Sequence, residues 1–416
     1  MKQLFPLLTA LLLLIPASNL RAQELDEDMF PVVDGATFIA DNDVASADTT
    51  SADPLAEKLA RLLDDELFDR SQVGICVYDL TAERTVFSQG GRQLLRPASC
   101  QKLITAITAL GLLGSDYHFA TSLYADGQVA DGTLLGSLCI EAGFDPRFGH
   151  DDMVAFVSAV KELGADSIAG DILLDVSIKD TLPMGLGWCW DDDETRLTPL
   201  LYNARANFVP TLRNALADAG ITVGGTFRRG RVPSSARPIA RRTHTIGQIL
   251  QPMMKQSDNL CAEALFYQIG AREGHAYAGR KQAARQVNRL IRHLGFDPDD
   301  YYVADGSGLS LYNYTTAELL VAMLRHAYTH EEIYHQLLPV LPVAGRDGTL
   351  RRRMKHGTAA GNVRAKTGTV EGVSSLAGYA ITREGHTLCF AIINQGLRRG
   401  ADGRNFQDRV CQLLTR

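Results

Sequence analysis

Three short polar motifs stand in order along the chain: Ser99-Cys100-Gln101-Lys102, Ser257-Asp258-Asn259 and Lys366-Thr367-Gly368-Thr369. A serine hydroxyl is a poor nucleophile until something takes its proton, and a lysine one helical turn further on can hold its amine beside that oxygen. The amine acts as a base only when uncharged, so burial and a neighbouring cation must weaken its hold on a proton; Lys366 is the expected neighbour of Lys102. Ser257 and Asn259 offer a hydroxyl for proton relay and an amide to hold a substrate amide. Lys366 and Thr367 offer a cation and a hydroxyl to a substrate carboxylate, while Gly368 lets a substrate backbone approach its strand. Together these groups spell acyl transfer through a serine ester.

The elements around the motifs support that chemistry. Residues 73–78 and 85–88 read as a β-hairpin. Pro97-Ala98-Ser99 then opens a helical pattern with Leu103, Ile107 and Leu110 on one face, which puts Ser99 in the first turn, where free N–H groups favour a developing oxyanion. Residues 363–369, 374–381 and 386–394 read as strands, and Phe406, Val410, Leu413 and Leu414 line a closing helix. An early hairpin and late strands with helices at both ends predict an α/β (α+β) sandwich, whose antiparallel sheet is completed by distant parts of the chain. Residues 55–116 and 243–416 form this discontinuous domain, and 117–242 form an inserted mixed α/β region. A second Ser-x-x-Lys, Ser158 to Lys161, falls inside a helical pattern with no free N–H groups and is read as structural.

Composition narrows the class. With 416 residues, 45% hydrophobic and 22% charged, the chain is an ordinary globular protein of two or three domains. The net charge of −6 is uneven: residues 23–54 carry nine acids and no Lys or Arg, and the body from Leu55 onward is close to neutral, at +1. No clustered basic face is left for nucleic acid. The apolar run from Leu4 to Ile15 after Lys2 reads as a secretory signal over residues 1–22, cleaved before an acidic leader of low order at 23–54. No later stretch is apolar enough to span a membrane, so a soluble, periplasmic protein is expected. Seven widely spaced cysteines without a C-x-x-C pair predict buried small hydrophobes and no zinc site.

With these motifs in place, the sequence resembles the penicillin-binding D-alanyl-D-alanine carboxypeptidases and endopeptidases of serine peptidase family S13, over nearly everything after Asp53. Beyond the three motifs the likeness rests on Trp188-Cys189-Trp190-Asp191-Asp192, Asp305-Gly306-Ser307-Gly308-Leu309-Ser310, Leu341-Pro342-Val343-Ala344-Gly345, Asp347-Gly348-Thr349-Leu350 and Gly378-Tyr379, and on the 157 residues separating Ser99 from Ser257. The resemblance implies a β-lactamase/DD-peptidase-like transpeptidase domain with inserted domains, acylation of Ser99 with Lys102 as base, and an oxyanion hole made by the amides of Ser99 and Thr369. It implies peptidoglycan stem peptides and β-lactams as partners and no metal or organic cofactor. A β-lactamase and a non-catalytic β-lactam or peptidoglycan receptor are the alternatives; a class A β-lactamase needs a water-activating Glu in an E-x-x-L-N pattern, and none follows Ser257. At Gly143-Phe144-Asp145-Pro146 the family usually has consecutive glycines, so Asp145 is assigned no role.

Other polar clusters are read as structural. His326 and His330, at i, i+4, are expected to face water on an exposed helix. Arg346, Arg351, Arg352, Arg353 and Lys355 are expected on a solvated face, and Trp188 and Trp190 in a structural turn.

Overall fold

The protein is described here from a computed structural model covering residues 54–192, 196–274 and 276–416. The expected signal peptide, and the acidic leader apart from Pro54, lie outside the described residues. Helix α1 (Pro54–Leu62) leads to strands β1 (Gln72–Asp79) and β2 (Arg84–Gln89), and a 3₁₀ turn at Ala98–Cys100 runs into helix α2 (Gln101–Leu113). The chain then builds a second sheet from β3 (His118–Ala130), β4 (Thr133–Glu141), β5 (Ser167–Ile168), β6 (Ile172–Asp175), β7 (Thr222–Val223), β8 (Phe227–Arg229) and β9 (Arg237–Thr245), with helices α3 (His150–Glu162) and α4 (Phe208–Asp218). It returns through α5 (Ile246–Lys255), α6 (Asn259–Ala271), α7 (Arg280–His293), α8 (Ala317–Thr329) and α9 (Glu331–Val340). Strands β10 (Arg364–Val370), β11 (Val373–Ile381) and β12 (Thr387–Gln395) and helix α10 (Gly400–Leu414) complete it.

The first sheet has the order β10-β11-β12-β1-β2 and every pair is antiparallel, so strands from the two ends of the chain meet where β1 pairs with β12. Strand β11 is buried at every position but its last, the pattern of a strand covered on both faces. On one side Phe406, Val410 and Leu414 of α10 and Leu59 of α1 pack over Leu376, Phe390 and Ile392. Each such side chain, fully buried, contributes about 1.5–3 kcal/mol. Helix α8 covers the other face, with α2 and α6 next to it. The second sheet is mixed: β3 pairs antiparallel with β4 and β9, while β4, β5, β6, β7 and β8 pair in parallel, over a separate core containing Phe148, Phe156, Phe208 and Leu212.

Local signals start the helices that matter for the site. Thr245 accepts from the N–H of Gln248, whose side chain accepts in return, so β9 passes directly into α5. Asp258 accepts from the N–H of Cys261 at 2.8 Å and caps α6, which fixes Asn259 as its first residue. No helix among the described residues is long and apolar enough to cross a membrane.

Candidate active site

The Ser99 turn sits against the edge strand β10. Ala98 has φ +46°, a left-handed value uncommon for a residue with a Cβ, so the backbone is not yet helical there. Ser99 therefore lies on a 3₁₀ turn just ahead of α2 and not in its first turn, a correction to the sequence expectation. The turn is held from outside: Ser375 on β11 donates to Pro97 O at 2.5 Å and the Cys100 thiol donates to Lys366 O at 3.3 Å. A Cβ at Gly368 would come within 2.9 Å of Ser99 N and 2.7 Å of Pro97 O. Glycine is required here because the Ser99 turn packs against the strand, a reason the sequence did not disclose.

Lys102 projects back from the first turn of α2 and is fully buried. Its Nζ lies 3.1 Å from Ser99 Oγ, 2.6 Å from Asn259 Oδ1 and 2.8 Å from Ser307 O. Asn259 thus orients the lysine, beyond the substrate contact expected of it. Lys366, also fully buried, donates to Ser257 Oγ at 2.9 Å and to Thr367 O at 2.6 Å. Burial, and then the charge of Lys102, push the Lys366 ammonium down to about 7. Two amines confined away from water resist carrying two charges. Ser257 is itself left-handed, at φ +64°, in a loop that directs its hydroxyl to Lys366. Thr367 donates to Thr349 at 2.8 Å, and Thr369 is exposed on the same strand. The structure thus brings Ser99, Lys102, Ser257, Asn259, Lys366 and Gly368 into one cluster. Such an arrangement can draw a proton from Ser99 and pass it along two amines and a second hydroxyl.

Three residues were given no role in the sequence reading. Ser307 supplies the carbonyl that meets Lys102. Its loop is held by Glu263, fully buried on α6, whose carboxyl accepts from the N–H groups of Gly306 at 3.1 Å and Ser307 at 2.8 Å. Burial, then the charge of Asp305, raise Glu263 to about 8. Asp305 in turn accepts from the N–H groups of Gly308 and Ser310, from Asn313 and from the Trp188 indole at 2.9 Å. A Cβ at Gly308, φ +80°, would fall 1.8 Å from Ala98 O, so this loop and the Ser99 turn are packed backbone to backbone. The signal for Glu263 was its place four residues after Asn259, on the same helix face.

The remaining polar residues fall as follows. Ser158 is mid-helix in α3 and Lys161 pairs with Asp166 at 3.2 Å, away from the cluster. Asp145 does have a structural part: it is buried, bonds His244 Nδ1 at 2.6 Å and accepts from Arg147 N–H. His326 is buried rather than solvated, because α8 turns that face toward His293 and His330. Arg353 pairs with Asp408 at 2.6 Å, while Arg351 and Arg352 are solvated. Trp188 is a structural tie as expected, but Trp190 is 91% exposed. All seven cysteines are free, and all but Cys189 are buried. Among the described residues no group of His, Cys, Asp and Glu is arranged to hold a metal ion.

A five-stranded antiparallel sheet covered by helices, with a second sheet inserted between the Ser-x-x-Lys turn and the Ser-x-Asn loop, defines the penicillin-recognising class of fold. The profile of the D-Ala-D-Ala carboxypeptidase 3 (S13) family matches residues 55–204 and 195–416, and the chain belongs to that family of peptidases. It is 23% identical to the D-alanyl-D-alanine carboxypeptidase DacB of Haemophilus influenzae, over 81% of this chain and 88% of the relative. It is 28% identical to a D-alanyl-D-alanine carboxypeptidase of Actinomadura sp. R39, over 85% and 83% of the two chains. The crystal structure of penicillin binding protein 4 (dacB) from Haemophilus influenzae superposes with a TM-score of 0.78 at 21% identity, over 85% of this chain and 97% of that one, which establishes the likeness of fold.

Proposed function

We propose that this protein is a serine-type D-Ala-D-Ala carboxypeptidase that works on peptidoglycan stem peptides through an acyl-Ser99 intermediate, in the periplasm after export by its amino-terminal signal. The observation that carries the reading is the position of Lys102 Nζ, in hydrogen-bond reach of Ser99 Oγ and steadied by Asn259 and Ser307. Neutral Lys102 takes the Ser99 proton as Oγ attacks the carbonyl of the penultimate D-alanine. The N–H groups of Ser99 and Thr369 face the developing oxyanion. The proton reaches the leaving nitrogen by way of Ser257 and Lys366, the C–N bond breaks and D-alanine departs. Water, deprotonated by the same amines, then cleaves the ester and restores the Ser99 hydroxyl. Thr367 and the Lys366 cation receive the terminal carboxylate, while Asn259 and the edge of β10 align the peptide. The same steps serve a D-Ala crosslink.

β-Lactams mimic the peptide end and acylate the same serine. The Glu263 carboxyl is occupied by two backbone N–H groups, so it does not supply the water-activating base that a class A β-lactamase needs. Mass spectrometry after benzylpenicillin treatment should find one adduct, on the Ser99 peptide, and a stem pentapeptide should release D-alanine steadily. An adduct on the Ser158 peptide, or full turnover by Ser99→Ala, overturns the assignment. Lys102→Gln should lower kcat by about 10²–10⁴-fold, the usual contribution of a general base.

A further inference from the structure

A wide cleft lies away from the Ser99 cluster. It has a volume of about 890 Å³ and runs between β3, β4 and β9 of the second sheet and the far ends of α2 and α6, where Leu113 and Ala271 line it. Helices α2 and α6 both begin at the cluster, with Lys102 and Asn259, and rise about 16 Å to Leu113 and about 14 Å to Gln268, where they meet the cleft. A dipeptide end seated at Ser99 cannot extend that far, but a wall polymer can.

The charges lining the cleft do not balance one another. Glu141 accepts from the Tyr124 hydroxyl at 2.8 Å. Asp175 is taken up by the N–H groups of Ser177 and Val232 and by Arg231 at 3.4 Å. Arg241 and Arg272 also line the cleft, both exposed, and among the described residues neither has a carboxylate partner. Glu141 keeps its charge, so the lining sets two carboxylates against three guanidiniums, one positive charge in excess. Arg241 and Arg272, able to take carboxylates bidentately, face an open, polar space outside any ion pair among the described residues.

We propose that this cleft is an anion-binding exosite that holds free carboxylates of the peptidoglycan whose D-alanine terminus is processed at Ser99, an inference that rests on the carboxypeptidase reading. Arg241 and Arg272 are its specificity residues and contribute nothing to the bond-breaking step.

The test compares the full chain with Arg241→Glu/Arg272→Glu and the milder Arg241→Gln/Arg272→Gln on two substrates: purified sacculi, and a diacetylated L-Lys-D-Ala-D-Ala tripeptide too short to reach the cleft. Sacculus KM should rise about tenfold in the charge-reversed protein and less in the glutamine protein, with tripeptide kcat/KM unchanged. Ser99→Ala protein should co-sediment with sacculi, and Arg241→Glu/Arg272→Glu in that background, or amidation of the sacculus carboxylates, should weaken the binding by a similar factor. Unchanged sacculus KM and co-sedimentation in the charge-reversed protein overturn the exosite, as does an equal loss on both substrates. A wild-type chain that releases D-alanine from neither substrate sinks the carboxypeptidase reading instead, and the co-sedimentation arm still decides the exosite.

Discussion

Replacing Glu263 by glutamine probes the support of Lys102 directly. The Glu263 carboxyl is fully buried, holds the Gly306 and Ser307 N–H groups, and is pushed up to about 8 by burial and by Asp305. Against its ordinary value of 4.5 this is about 3.5 pH units, or on the order of 5 kcal/mol of added cost for the ionised form. Between pH 4.5 and 8 the native state keeps a proton that the unfolded chain has released, so stability falls as pH rises through that window; the contribution is complete below 4.5 and lost above 8. Glutamine has the shape of the neutral acid, keeps the acceptor oxygen and cannot ionise. The stability of the wild type minus that of Glu263→Gln, from urea unfolding at pH 5, 6 and 7, should therefore decline by about 1.4 kcal/mol per unit. Taking the difference also cancels Lys366, whose depression from 10.5 to about 7 makes stability rise with pH only from about 7 upward, in both proteins. Activity at pH 7 should stay within a few-fold in Glu263→Gln. Glu263→Ala should lose most of kcat with little change in KM, since two buried N–H groups lose their acceptor, at about 1–3 kcal/mol each, and the Ser307 carbonyl is freed from Lys102. A flat difference curve would refute the reasoning, as would a glutamine variant as inactive as the alanine one.

Other outcomes follow from the same geometry. Gly368→Ala should reduce the rate of penicillin acylation at least tenfold, measured by stopped-flow, because the new Cβ drives Ser99 N and Pro97 O away from β10; a cost of about 1–3 kcal/mol in stability should accompany it. His326, pushed down to about 3 mainly by burial, must gain a proton on unfolding below its ordinary 6.5, so stability drops as pH falls from 6.5 toward 3. His326→Phe should make this acid-side decline shallower by about 1.4 kcal/mol per unit in the free energy of urea unfolding at pH 6, 5 and 4, and equal slopes would exclude it.

Much of the site was legible in the chain because its chemistry is carried by short spacings. Ser99 and Lys102 are one turn apart, Asp258 caps the helix that Asn259 begins, and Lys366 to Thr369 fall on a strand whose partners alternate in the expected way. The apolar faces of α10, β1 and β12 likewise mark a sandwich closed by the two ends of the chain. The roles of Glu263 and Ser307 escaped because one holds a backbone loop and the other offers only a carbonyl, and a buried carboxyl that accepts from N–H groups has the same letter as one facing water. His326 escaped for a related reason: a polar i, i+4 pair says nothing about whether another helix lies over it.

The amino-acid order alone determined which residues could act as nucleophile, base and carboxylate receptor, since these depend on residue type and on distances within one turn or one strand. Tertiary structure alone decided that Lys102 is gripped by oxygens from two remote segments, that Gly368 is a glycine for the sake of the Ser99 turn, and that two arginines without a carboxylate partner among the described residues face a cleft about 14–16 Å along α6 and α2 from the Ser99 cluster. Those facts depend on contacts between residues more than a hundred positions apart, and no local periodicity encodes which distant backbone atoms will meet.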